Sequence, residues 1–114
     1  MNVLKRGEIW IARFDPAVGC EIGKTRPCVI LSPSPMNKHT QTVIVAPLTS
    51  SDASRFSVPT TFGGRKGAMQ LSHLRSMDRQ RLVRHTGALD RHALRRAMAR
   101  LRNVFSEEAG EAGD

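Results

Sequence analysis

The chain has 114 residues, of which 39% are hydrophobic, with a formal net charge of +8 and two cysteines. This length supports one modest core rather than two, and the hydrophobic share excludes a disordered chain. No apolar run approaches the roughly 20 residues of a membrane-spanning helix, the N-terminal MNVLKRGEIW lacks a signal peptide's apolar core, and Cys20 and Cys28 are too few for a disulfide framework, so a reduced, cytoplasmic setting is expected.

Arg6 to Phe14, RGEIWIARF, sets Ile9 and Ile11 on one side and Trp10, Ala12 and Phe14 on the other, which predicts a first strand covered on both faces. Asp15-Pro16 opens a loop through Gly19 and Gly23 to Arg26. Pro27 suits a strand's first position, where its missing N–H costs least, so the second strand reads Cys28 to Leu31 and ends at SPSP, 32–35. Thr42 to Leu48 is the third, with Pro47 marking an edge or a bulge, and Ser50 to Ser54 is a polar turn. Phe56 to Phe62 predicts a fourth strand, followed by Gly63-Gly64 as a hairpin signal. Gly67 to Leu74 predicts a fifth, Asp78 to Arg81 a short helical turn, and Leu82 to Ala88 a sixth strand. Asp90 is an N-cap for a final helix in which Leu94, Ala97, Met98, Leu101 and Phe105 recur at helical spacing. Arg91, Arg95, Arg96, Arg100 and Arg102 occupy its other face. The expected fold is mainly β (α+β): a small, bent antiparallel sheet or barrel with a C-terminal helix, in one domain over 1–106, and an acidic, fraying tail over 107–114.

The positive charge is regional. Residues 65–102 carry eleven Lys/Arg against two Asp/Glu, whereas residues 103–114 carry four acids and no base. Arginine outnumbers lysine 14 to 4, which suits bidentate phosphate contacts, and such a field favours nucleic acid through counterion release. Arginine enrichment across a whole genome would give the same composition.

Arg26 precedes the second strand and Thr49 follows the apolar run of the third. If those strands are antiparallel neighbours, a guanidinium and a hydroxyl converge at one end of the sheet. Spacing alone favours a solvated turn charge and a turn hydroxyl. The chemistry such a pair serves is RNA cleavage, in which the ribose 2′-OH attacks the adjacent phosphate. Arginine stabilises charge growing on phosphoryl oxygens, Thr49 donates a hydrogen bond there, and Ser50 assists. Of His39, His73, His85 and His92, none has a sequence-near partner marking it as catalytic. The cysteines lack zinc spacing, the acids are scattered singly, and GGRKG at 63–67 reads as a turn rather than a phosphate loop. No metal or cofactor is expected.

Four stretches together, RGEIW at 6–10, FDPAVGCEIGKTRPCVILS at 14–32, TVIVAPLTS at 42–50 and LRSMDRQRL at 74–82, closely resemble the MazF/PemK toxins, mRNA interferases of bacterial toxin–antitoxin systems. The resemblance implies an SH3-like barrel of the PemK/CcdB type, working as a homodimer. It implies sequence-specific, metal- and ribosome-independent cleavage of single-stranded mRNA, leaving a 2′,3′-cyclic phosphate and a 5′-OH. The family's catalytic arginine and threonine fall on Arg26 and Thr49. Glu21 and Lys24 fall in its RNA-contacting loop, and Thr25, Ser50, Gln70, His73 and Arg75 are expected to bind RNA or assist. The implied partner is a MazE-like antitoxin bearing an acidic segment that folds as it docks. One departure stands out: Ser72-His73 replaces the Asp-Gln of many members, so either the Arg26/Thr49 arrangement suffices or His73 supplies proton transfer or base contacts. The gyrase poisons of the same fold end in an apolar segment with a tryptophan. This chain ends in EEAGEAGD and carries its only tryptophan at Trp10.

Overall fold

Side chains that alternate between two apolar sets need cover on both sides, and the first strand receives it. In the computed structural model, which describes residues 3–50 and 56–108, Ile9 of β1 (Glu8–Arg13) packs into one buried cluster and Trp10 and Ala12 into another, joined there by Phe14. The remaining elements are β2 (Thr25–Ile30), α1 (Ser34–His39), β3 (Thr42–Thr49), β4 (Ser57–Phe62), β5 (Arg65–Gln70), β6 (Arg75–Asp78), β7 (Leu82–Ala88) and α2 (Arg91–Val104). They form a seven-stranded antiparallel sheet in the order β4-β5-β3-β2-β1-β7, with β6 pairing β3 as well.

The sheet separates two apolar layers. Val29, Leu31, Ala46 and Leu48 face α2, whose Ala93, Ala97 and Leu101 complete that layer. Cys28, Ile30, Val43, Val45 and Met77 join Ala12 and Phe14 on the opposite face. Helix α2 starts as its sequence predicts, with the Asp90 carboxylate accepting from Ala93 N at 2.9 Å. Its five arginines are all exposed, and Arg96 ties the helix to β4 by donating to the Pro59 carbonyl at 2.6 Å. Gly63 and Gly64, at φ 57° and 76°, close the β4–β5 hairpin, the paired left-handed conformation that glycine adopts without a Cβ clash.

The expected mainly β architecture with a C-terminal helix is observed, with four local differences. First, β2 begins at Thr25, so Pro27 is its third residue and Arg26 is a strand residue paired with Ala12. Second, SPSP runs into α1: a proline occupies its first turn, where a missing N–H has no partner to lose. Buried Asn37 anchors that helix, donating to Leu4 O at 2.8 Å and Ser32 O at 3.0 Å. Third, the single fifth strand divides into β5, a 3-10 turn at Leu71–His73, and β6. Fourth, Phe105 lies outside the packed face of α2 and is 73% exposed. The polar turn expected at 50–54 lies beyond Ser50 outside the described residues, as do residues 109–114 of the tail.

Cys28 is fully buried and Cys20 is exposed. Burial pushes the Cys28 thiol up to about 12 from 9.0, against a smaller downward effect of a backbone hydrogen bond from Trp10. The folded value lies above the unfolded one, so the stability linked to this thiol is complete below about pH 9 and is lost as pH climbs toward 12. A thiol reagent at pH 8 should modify one cysteine per native chain and the second only in denaturant. In denaturant melts, the stability difference between wild type and Cys28→Ala should shrink across pH 9 to 12.

Candidate functional site

Pairing of β2 with β3 places Cys28 opposite Pro47, Val29 opposite Ala46 and Ile30 opposite Val45. Arg26 and Thr49 lie two residues beyond the last of these pairs, at the same end of the two antiparallel strands. Arg26 also pairs with Ala12 across β1, and Thr49 with Ala68 across β5. Cross-strand partners share a sheet face, and Ala12 belongs to the Phe14 layer while Leu48 belongs to the α2 layer. Both side chains therefore leave the sheet on the Phe14 side. The arginines of α2 stand behind the sheet, whereas Arg75 lines the groove and Arg81 reaches the loop neck at Asp15.

Two prolines open the sheet here. The Ile44 carbonyl accepts from Leu31 N at 2.8 Å, which turns the backbone groups of even-numbered β3 residues, and of odd-numbered β2 residues, toward the β2–β3 seam. Pro27 thus faces β3 without a donor, and the ladder ends at the adjacent Cys28–Pro47 pair. Pro47 turns its own missing donor the other way, toward β5 and β6. On that side Val45 pairs with Arg75 and Leu48 with Met69, so Ala46 and Pro47 face five residues, Gln70 through Leu74. The surplus forms the 3-10 turn that carries Ser72 and His73 out of the ladder.

A groove of about 350 Å³ follows from this bulge. The buried Phe14 and Pro47 underlie it, with Glu21 and Ile22 contributed by the β1–β2 loop, Ser72 and His73 by the bulge and Arg75 by β6. The Arg75 guanidinium carbon lies 5.9 Å from the centroid of the Phe14 ring, within cation–π range. Arg26 is half-buried and its Nε donates to the Gly23 carbonyl at 2.9 Å. The buried Gln70 amide donates to Thr49 Oγ1 at 3.2 Å.

The nine residues singled out in the sequence fall into distinct places. Arg26, Thr49 and Gln70 gather at the opened strand ends, and Glu21, His73 and Arg75 line the groove beside them. Thr25 and Ser50 are exposed next to Arg26 and Thr49. Lys24 is exposed and enters the site through its backbone, which is left-handed at φ 67° and donates to Asp15 Oδ1 at 2.6 Å. Asp15, Phe14 and Pro47 were not singled out. The parity shared by Phe14 and Ala12 was the available signal for Phe14.

The scaffold is mainly β and presents a guanidinium and a hydroxyl beside a largely polar groove. Comparison with known sequences then identifies the family: residues 5–105 match that of the PemK-like, MazF-like toxins of type II toxin–antitoxin systems, and the chain belongs to it. It is 29% identical over 112 residues to the endoribonuclease MazF of Staphylococcus saprophyticus, covering 98% of this chain and 89% of that protein. With the endoribonuclease PemK of Escherichia coli the match is local, 43% identity over 47 residues, 41% of this chain and 35% of that protein. Among solved structures, MazF from Deinococcus radiodurans superposes with a TM-score of 0.80 at 27% identity, covering 91% of this chain and 97% of the other. MazF in a MazE–MazF structure from the same organism gives 0.74 at 27% identity, over 91% and 96%.

Gly67 supports this arrangement by its lack of a side chain. A Cβ there would collide with the Thr49 carbonyl oxygen and stand 2.6 Å from Phe62 Cε1. Gly67→Ala should destabilise the protein by about 1–3 kcal/mol, the usual cost of overpacking, in urea melts followed by circular dichroism.

Proposed function

We propose that this chain is the toxin of a toxin–antitoxin module and acts as an endoribonuclease that cuts single-stranded mRNA. The cleavage is sequence-specific and needs neither a metal nor the ribosome. The observation that carries the reading is the β2–β3 register, which brings Arg26 and Thr49 to one opened end of the sheet, on the groove face. The named endoribonucleases among its relatives support it.

In this reading the substrate supplies the nucleophile. The 2′-OH attacks the neighbouring phosphorus, its proton passes to a base, and the departing 5′-oxygen takes up a proton. The products are a 2′,3′-cyclic phosphate and a 5′-OH. The terminal amino groups of Arg26 meet two phosphoryl oxygens as charge builds on them, and the Thr49 hydroxyl donates to the same group. An arginine that stays cationic is a poor base, which leaves proton movement to groups in the groove. His73, carried there by the bulge, is the proton carrier or base contact, with Glu21 across from it. Single-stranded RNA fits because its unpaired bases are free to enter the groove and meet the polar groups of Glu21, Ser72 and His73. The partner is a MazE-like antitoxin, which the MazE–MazF structure among the neighbours supports; the antitoxin docks through an acidic segment, and the working form is a homodimer in the cytoplasm.

Purified protein incubated with a long unstructured RNA in EDTA should give discrete cuts with cyclic-phosphate ends. Arg26→Ala and Thr49→Ala should each slow cleavage by about 10²–10³-fold, the usual effect of losing one preorganised donor. Salt-sensitive RNA binding without cleavage by the wild type would replace the enzyme with a binding module. His73→Ala should change the rate or the preferred cut site; an unaltered rate and pattern would assign His73 to structure.

A further inference from the structure

Asp15 follows β1 directly, and its surroundings tie it to Arg26 through a single peptide group. Phe14 N donates to Lys24 O at 2.7 Å and closes the neck of the β1–β2 loop. Within that neck, Asp15 Oδ1 accepts from Lys24 N at 2.6 Å. This N–H belongs to the peptide joining Gly23 to Lys24, and the carbonyl of the same peptide accepts from Arg26 Nε at 2.9 Å. One planar amide therefore spans a carboxylate at its N–H end and a guanidinium at its C=O end. Both charges polarise the amide in the same sense, so each hydrogen bond strengthens the other.

Local features of the chain serve this connection. Lys24 adopts φ 67°, a conformation that costs a non-glycine residue about 1 kcal/mol and is kept only where its surroundings hold it. A Cβ on Gly23 would collide with Asp15 Oδ1 and lie 3.0 Å from Ala17 Cβ, so position 23 accepts glycine alone without displacing the carboxylate. The frame behind Asp15 is fixed as well. Arg81 Nη1 donates to the Asp15 carbonyl and, at 3.1 Å, to the Arg13 carbonyl.

We propose that Asp15 is a positioning residue for Arg26, acting through the Gly23–Lys24 peptide. The proposal rests on the reading of Arg26 as the group that meets the scissile phosphate. Committing Nε to Gly23 fixes the plane of the guanidinium and leaves its two terminal amino groups for a bidentate phosphate contact. Without the carboxylate the peptide is free to rotate, Nε loses its acceptor, and the fork no longer meets the phosphate in register. Displacements of this size cost rate rather than ground-state binding.

The test compares Asp15→Ala with Asp15→Asn, whose side-chain carbonyl still accepts from Lys24 N. On an RNA oligonucleotide carrying a mapped cut site, Asp15→Ala should lower kcat about 10- to 100-fold with KM nearly unchanged, and Asp15→Asn should restore most of the rate. The second readout needs no substrate: the Arg26 Nε–Hε resonance, assigned by its loss in Arg26→Lys, should exchange slowly with water in wild type and Asp15→Asn and rapidly in Asp15→Ala. If Asp15→Ala does not fold by circular dichroism, Asp15→Ser, too short to reach Lys24 N, replaces it. A folded Asp15→Ala with wild-type kcat, an unchanged Arg26 resonance, or an Asp15→Asn as impaired as Asp15→Ala would each overturn the proposal. Wild-type cleavage by Arg26→Ala would instead remove the underlying reading of Arg26, while the resonance would still report whether Asp15 holds it.

Discussion

Two missing backbone donors shape everything at the business end of this sheet. A strand in the middle of an antiparallel sheet is held on both sides, and β3 is such a strand. Pro27 withholds a donor on its β2 side and Pro47 withholds one on its β5/β6 side. Proline is ordinarily confined to sheet edges because a lost ladder bond is expensive in a sheet interior. Here the loss falls where the ladders already diverge, and the divergence gives Arg26, Thr49 and the bulge residues room to face outward. A fully paired β3 would offer a smooth face with no groove.

The surplus residues opposite Pro47 carry the second consequence. A strand with three residues more than its partner has to fold the excess away, and the 3-10 turn at Leu71–His73 does so while keeping Leu71 buried in the α2-side core. Ser72 and His73 are thereby turned to the groove on a segment anchored at both ends by ladder pairs, Met69 with Leu48 and Arg75 with Val45. Anchoring of this kind is what lets a departure from regular pairing hold a side chain in a defined place.

Charge and site are separated more than the composition suggests. The densest run of arginine belongs to α2, which packs on the far face of the sheet from Arg26 and Thr49. In the proposed function those arginines would supply only a long-range field, and local recognition would fall to Arg26, Arg75 and the groove. Lys24 illustrates the same distinction at short range. Its ammonium is exposed, and its contribution to the site's geometry is made by its backbone N–H.

How much of this was legible beforehand depended on the range of the interaction. Local chemistry could be read: the two-faced strand around Trp10, the Gly63-Gly64 hairpin, the Asp90 cap and the helical turn ahead of Leu82 each follow from residues within a few positions of one another. Arg26 and Thr49 were visible as neighbours of apolar runs, and the resemblance to a known family gave them roles. β2 starts ahead of Pro27, although proline suits a strand's first position, because an interior proline is tolerated wherever its missing donor faces a ladder that ends. SPSP hid α1 because proline both stops one element and begins the next. Tertiary structure alone decided the division between β5 and β6, the groove, and the link from Asp15 to Arg26. Register depends on how many residues lie between two pairings on each strand, and a hydrogen bond across a loop neck depends on that register. Neither quantity is written in any single stretch of sequence.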